Sequence, residues 1–494
     1  MTRAGRVALA VLVAVAIVGV VAWVALDDGD DGPAAPPTTV SPSSSTTTAT
    51  TAPPVEGAVG AAGVGDPYFP DLGNGGYDVE HYDLELTWQA DAGRLSGRAS
   101  VEATATHDLS WFNLDLVGLE VSSVQVDGAD AVATREGREL QVTPATPIAE
   151  GAPFTTVVVY EGEPTPVPDG TDLFEVGWQT DGREAYVVSE PAGAATFYPV
   201  NDHPTDKATY SVVVTAPEDQ VVAASGLLAG EPVAGEGTRT WTYEASDPMA
   251  SYLLQIVIGD YELVDAGRFG DTVIRHAFHR SLADSARVTT ERTAEMVDVL
   301  DDVYGPFPFE AYGVVAVDEP LGFALETQTL TIIGSDIARW GRRADDILLH
   351  ELAHQWVGNL VSPATWQDIW LNEGFATYSE WLWSERTGGA SAAERARALV
   401  GSSADLDVPP GDPGTGELFI TSVYWRGGMA LQALREQIGD DAFFTLLRRW
   451  IDDHRDSTAS TQDLVALAEE ISGQELDDLF DRWIYAAELP SFDR

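Results

Sequence analysis

His350-Glu351-Leu352-Ala353-His354, with Glu373 placed after the eighteen intervening residues 355–372, restricts the second half of this chain to few arrangements. Residues four apart on an α-helix share a face, so His350 and His354 project side by side with Glu351 next to them. Ile347, Leu348, Leu349, Leu352, Ala353, Trp356, Val357 and Leu360 make that helix strongly apolar. Burying two imidazoles and a carboxylate in such a helix is costly without a partner, and a metal ion is the least costly one. Glu373 begins a second helical stretch, Glu373 to Trp383, able to pack against the first. Together they give a two-His-one-Glu set with a fourth position open, the arrangement of a catalytic rather than a structural Zn²⁺, one per chain. Glu351 then lies beside the metal, where it can take a proton from a metal-bound water.

The chain is 494 residues long, enough for two or three domains. It has no cysteine, so disulfides and thiolate metal sites are excluded. Lys and Arg total 27 against 79 Asp and Glu, a net charge of −52, and Lys207 is the only lysine. This balance argues against nucleic acid as a partner, because phosphate binding needs a basic face. The surplus reads as a solvated acidic surface suited to salty surroundings, with attraction of cationic peptides as the other reading.

Residues 1–6 carry Arg3 and Arg6, and an unbroken apolar run follows from Val7 to Leu26. As a helix, twenty residues rise about 30 Å, enough to span a bilayer. Asp27, Asp28, Asp30 and Asp31 come next, and this charge order keeps the N-terminus in the cytoplasm and the body of the protein outside it. A single-pass anchor in the cell membrane is expected, with a cleaved signal peptide and secretion as the competing reading. Residues 27–66, rich in Pro, Ser, Thr and Ala, read as a disordered linker. From 67 to 275 the pattern alternates with period two, as in Tyr82 to Trp88, Thr155 to Tyr160 and Tyr210 to Thr215, which predicts an antiparallel β domain, a saddle or sandwich. From 276 to 494 the character is α-rich: a long helix from Ser281 to Tyr304 ended by Gly305-Pro306, a strand from Tyr312 to Val317, and the motif helix. The class is α+β multidomain.

Four segments in order resemble the M1 aminopeptidase family, within the thermolysin-like gluzincins. The zinc spacing is the most specific. Gly322-Phe-Ala-Leu-Glu326-Thr resembles the family's Gly-x-Met-Glu-Asn exopeptidase motif, and Val423-Tyr424-Trp-Arg-Gly427 resembles the segment with its catalytic tyrosine. Pro199-Val-Asn-Asp-His-Pro-Thr-Asp-Lys207-Ala-Thr-Tyr210 looks like its Asp-x-Pro-x-x-Lys-Ala-x-Tyr stretch. The resemblance covers about residues 67–494 and implies that 276–494 is a thermolysin-like zinc peptidase domain.

By this resemblance His350, His354 and Glu373 hold the zinc, Glu351 is the general base and Tyr424 the oxyanion donor. Glu326 binds the free α-ammonium of a peptide substrate and so selects N-termini. Glu190 stands where the family commonly supplies a glutamine to the same amine. Leu325 and Thr327 replace the family's usual Met and Asn. The chain stops near Leu489-Pro490, a short form without the family's large C-terminal helical domain, and a more open cleft is the expected consequence. Trp356, Trp366, Trp370, Trp381 and Trp383 are expected in the core rather than in a pocket. The function implied is hydrolysis of the N-terminal peptide bond. An endopeptidase or related hydrolase on the same fold, or a catalytically silent surface-binding protein, are the alternatives.

Overall fold

The computed structural model describes residues 60–171, 174–400 and 406–492. The apolar run 7–26 and the linker up to residue 59 lie outside the described residues. Among those described, no helix is long and apolar enough to cross a membrane.

The last residues assigned to the linker, 60–66, do not behave as a spacer. Asp66 is 3% exposed. Its Oδ1 accepts the N–H groups of Tyr68 and Phe69 at 2.8 and 2.9 Å, and its Oδ2 accepts Trp366 N–H at 2.8 Å and faces His203 Nε2 at 3.2 Å. Four polar hydrogens on one short side chain tie this strap to partners up to 300 residues away, which no local pattern reveals.

The N-terminal half is built on a nine-stranded sheet. Its centre pairs Tyr77–Gln89 with Arg94–Ala105 on one side and Lys207–Pro217 on the other. The alternation in Lys207–Pro217 turns Ala208, Tyr210, Val212, Val214 and Ala216 inward. Against them lie Tyr82, Leu84, Leu86 and Trp88 of Tyr77–Gln89, with Tyr82 and Tyr210 stacked at 5.0 Å. The expected all-antiparallel arrangement is not met at this point, because Tyr77–Gln89 and Lys207–Pro217 run parallel. The two strands are joined by more than a hundred residues, so the hairpin geometry that enforces antiparallel pairing is absent.

A six-stranded sheet begins the second half. Thr272–His279 pairs antiparallel with Tyr261–Phe269 and parallel with Val314–Ala316, which pairs with Thr331–Ile333; Ala324–Leu325 is the antiparallel edge. The division expected at residues 275 and 276 falls inside the strand Thr272–His279. The short turn 270–271 makes Tyr261–His279 a hairpin, so it travels as one unit with the strands that follow.

The long helix expected from Ser281 to Tyr304 is two helices, Ala283–Thr289 and Thr293–Tyr304. At the break, Thr290 Oγ1 donates to Ala286 O at 2.9 Å and Thr293 Oγ1 to Thr290 O at 2.8 Å, each beside the backbone N–H of its own residue on the same carbonyl. Gly305 ends the second, as expected, with φ +101°. Three further helices matter for the site: Asp345–Ala353, Trp370–Arg386 and Thr421–Ile438. All five tryptophans expected in the core are buried.

Candidate metal and peptide-binding site

Asp345 and Asp346 occupy the first turn of the motif helix, where acids favour the positive end of the helix dipole, and Arg292 holds Asp345 at 2.6 Å. The helix is shorter than its apolar run. It ends at Ala353, His354 is its C-cap, and Trp356, Val357 and Leu360 are buried in the turn beyond. His354 N still bonds His350 O at 3.2 Å, which keeps the two imidazoles on one face.

Glu373 reaches them from the helix Trp370–Arg386, one turn longer at its start than the sequence suggests. Its Oε2 lies 3.1 Å from His350 Nε2 and 3.6 Å from His354 Nε2. The outer nitrogens fix the tautomers. His354 Nδ1 is 3.0 Å from Val357 O, an atom that can only accept, so Nδ1 carries the proton there. His350 Nδ1 donates in the same way to the Glu380 carboxylate at 2.8 Å. Both Nε2 atoms therefore converge on a carboxylate oxygen, all within 4.8 Å of one another. Two imidazole nitrogens and one carboxylate brought this close match the ligands of a catalytic zinc.

The third helix, Thr421–Ile438, brings Tyr424 to this point. A Cβ on Gly374 would meet the backbone of Gly427 at 3.0 Å, and one on Gly427 would meet Gly374 Cα at 2.9 Å. The helices touch backbone to backbone at these glycines, next to Glu373 and one turn after Tyr424. The Tyr424 ring stacks on His350 at 5.8 Å with 24° between planes. Burial first, then the carboxylates of Glu373, Glu190, Glu326 and Glu351, push its hydroxyl well above the ordinary value, so it stays a proton donor.

Glu326 follows the edge strand Ala324–Leu325. Its carbonyl accepts Gln355 Nε2 at 2.9 Å and Asn359 Nδ2 at 2.8 Å, both from the turn after His354. Nearby Thr329 sits at φ +65°, unusual for a β-branched residue, and is held by Gln355 Oε1 on its N–H and by Gly226 N–H on its Oγ1. The carboxylate itself is buried, and its Oε1 has no partner. Glu190 Oε1 is also buried and unpartnered. Burial and then the charges of Glu326, Glu373 and Glu351 push Glu190 upward, which puts it among the same carboxylates. Tyr252 faces this group too, its hydroxyl raised by burial and by Glu326, Glu190 and Glu373. Among the described residues, none of Glu190, Glu326, Glu351 and Glu373 pairs with Lys or Arg; the ion pairs of the group are those to the two histidines.

Environment separates the two acids flanking the histidines. Burial, opposed by the imidazoles and reinforced by Glu326 and Glu373, raises Glu351 to about 8. Burial alone would raise Glu373 as well, but the two imidazoles hold it down at about 2. One is tuned to carry a proton and the other to remain an anion.

Every residue singled out from the sequence thus arrives here: His350, Glu351, His354, Glu373, Glu326, Tyr424 and Glu190. Glu380, Tyr252, Gln355 and Asn359 were not anticipated. Glu380 had a signal, since it lies seven residues after Glu373 and shares its helix face. The other three are ordinary polar residues whose partners are remote in sequence.

Residues 288–483 match the peptidase family M1 domain, and residues 78–253 match the peptidase M1 N-terminal domain. The crystal structure of an M1 zinc metallopeptidase from Deinococcus radiodurans is similar with a TM-score of 0.80 at 35% identity, covering 87% of this chain and 99% of that one. A mutant of the M1 zinc metallopeptidase from Deinococcus radiodurans bound to a Tyr-Ser-Ala substrate gives 0.80 at 34% identity, with 87% and 99% covered. Aminopeptidase M1-A of Oryza sativa subsp. japonica is 25% identical over 440 residues, 81% of this chain and 49% of its own length. The chain spans about half the length of such curated relatives, and nearly all of the Deinococcus structure.

Proposed function

The chain belongs to peptidase family M1, and from that premise we propose that it is a zinc aminopeptidase that removes residues from the N-termini of peptides. One observation carries this reading: two unpartnered buried carboxylate oxygens, on Glu326 and Glu190, beside a two-His-one-Glu set with no Lys or Arg to neutralise them. Such a pocket asks for two cations of different kinds, a metal at the imidazoles and an ammonium at the glutamates. The Tyr-Ser-Ala complex of the Deinococcus relative supports peptides as the substrate class.

His350, His354 and Glu373 would hold the zinc, with Glu380 and the Val357 carbonyl fixing the imidazoles from behind. Bound there, zinc supplies Lewis acidity to the scissile carbonyl and makes a water more acidic. Glu351 takes the proton of the attacking water and delivers it to the departing amine, so that water and peptide become a free amino acid and a peptide shorter by one residue. Tyr424 donates its hydroxyl proton in a hydrogen bond to the oxygen that gains charge during attack. Glu326 and Glu190 receive the substrate's α-ammonium. An internal peptide bond would leave those buried oxygens unpaired, and this asymmetry selects chain ends.

The apolar run from Val7 to Leu26, flanked by Arg3 and Arg6 before and four aspartates after, supports placing this chemistry outside the cytoplasm on a membrane tether. Carbonate-washed membranes should retain the full chain; recovery wholly in the soluble fraction would remove the tether from the reading.

The function is tested with amino-acid arylamides and short peptides on the full chain, zinc content being measured in parallel. Free N-termini should be hydrolysed and N-acetylated counterparts left intact. Equal turnover of the two would sink the aminopeptidase reading while leaving a metallopeptidase.

A further inference from the structure

Lys207 is the only lysine among 27 cationic residues, and it is not on the solvated surface where lysines usually lie. It is the first residue of the strand Lys207–Pro217 and is partly buried where the β domain meets the turn after the motif helix. Its Nζ donates to the adjacent carbonyls of Asn359 at 2.9 Å and Leu360 at 2.8 Å. In so acidic a protein it makes no ion pair within 4 Å among the described residues; Asp456 acts on it only as a more distant charge.

The turn it grips is the one that sets Glu326. Asn359 accepts Lys207 with its carbonyl and donates its side-chain amide to Glu326 O at 2.8 Å. Asn359 N also bonds His354 O at 2.9 Å. Gly358 sits at φ +119°, and a Cβ there would crowd His354 and Asn372 at 3.2 Å, so the turn is packed tightly on its inner side. An ammonium can serve two neighbouring carbonyls because its three hydrogens sit on one compact atom; a guanidinium presents a wider planar fork.

We infer that Lys207 is a positioning residue for recognition of the substrate amine, acting from the β domain through the Asn359 turn to place Glu326. This rests on the aminopeptidase reading of the site. Lys207 itself touches neither the metal ligands nor the pocket, so its removal should weaken amine binding while leaving metal binding intact.

The test is a double-mutant cycle on the full chain, loaded with zinc, with Glu351→Gln as the parent so that nothing turns over. The readout is calorimetric binding of L-argininamide, accompanied by zinc content and melting temperature. Glu326→Gln should weaken binding at least about tenfold. Lys207→Met should weaken it about fivefold with zinc content unchanged. Combining them should give little beyond Glu326→Gln alone, because both act on one contact. Parent-like binding by Lys207→Met, fully multiplied losses in the combined variant, or loss of zinc from Lys207→Met would overturn the inference. If Glu326→Gln has no effect, the aminopeptidase reading falls and this inference with it; if only Lys207→Met is silent, the reading stands and the inference alone fails. Should Lys207→Met not fold, Lys207→Arg replaces it: weaker binding at unchanged zinc content is expected, and parent-like affinity would be the contrary result.

Discussion

Two groups of buried acids in this molecule are built from the same chemistry and finished differently. In the β domain, Asp115 and Asp202 are fully buried, and all four of their carboxylate oxygens have partners. Arg138 serves both acids, Asn74 and Asp202 N–H serve Asp115, and Ser251 and Ala195 N–H serve Asp202. In the second group, Glu190, Glu326, Glu351 and Glu373 converge with no guanidinium or ammonium among them, and two oxygens are left without a partner. The first group is closed within the chain and holds the structure together. The second is open and can be completed only by something that arrives. Lack of a partner alone does not mark a site, since both buried oxygens of Glu139 and of Glu310 also have none; the second group is set apart by converging on the two histidines.

Substitutions can break this comparison on either side. The largest effect belongs to Glu351→Gln, which removes a proton carrier and nothing that binds metal. The turnover number should fall about 10³- to 10⁴-fold while zinc content stays that of the parent, measured by steady-state kinetics and metal analysis. Tyr424→Phe should cost about 3–4 kcal/mol in the reaction barrier, roughly a hundredfold or more in kcat, with KM moving little. Arg138→Met acts on the closed group and should reverse the pattern. Stability should drop by about 3 kcal/mol in denaturant unfolding, because Asp115 and Asp202 lose their shared counterion, while kcat/KM of the folded fraction stays near the parent's. If Arg138→Met damaged turnover as much as stability, the division into closed and open groups would be wrong. The Lys207→Met cycle sharpens the comparison further, because it asks how the open group is held in place without being closed.

The open group was legible in the sequence to an unusual degree. His350 and His354 are set by helix periodicity, which is a local rule, Glu373 by its spacing from them, and Glu326, Glu190 and Tyr424 by resemblance of short segments. What escaped was set by tertiary contact. The approach of Gly374 to Gly427 joins helices about fifty residues apart in sequence, and the parallel pairing of Tyr77–Gln89 with Lys207–Pro217 joins strands more than a hundred apart. The helix that periodicity alone would continue ends at Thr289, with Thr290 as its cap, and a second helix starts at Thr293. Asp66 looked like the end of a polar linker, since the groups that bury it belong to His203 and Trp366.

That aspartate has a bearing on how the molecule comes apart. One carboxylate bonds the β domain through His203 and, through Trp366, the segment that leads into the Glu373 helix. Neither half can loosen without stripping hydrogen bonds from a buried charge, so the strap couples their melting. Calorimetry should show one cooperative transition where two independent domains would show two. Asp66→Ala should lower the midpoint of that single transition without splitting it, because Lys207, Thr329 and the shared core still join the halves.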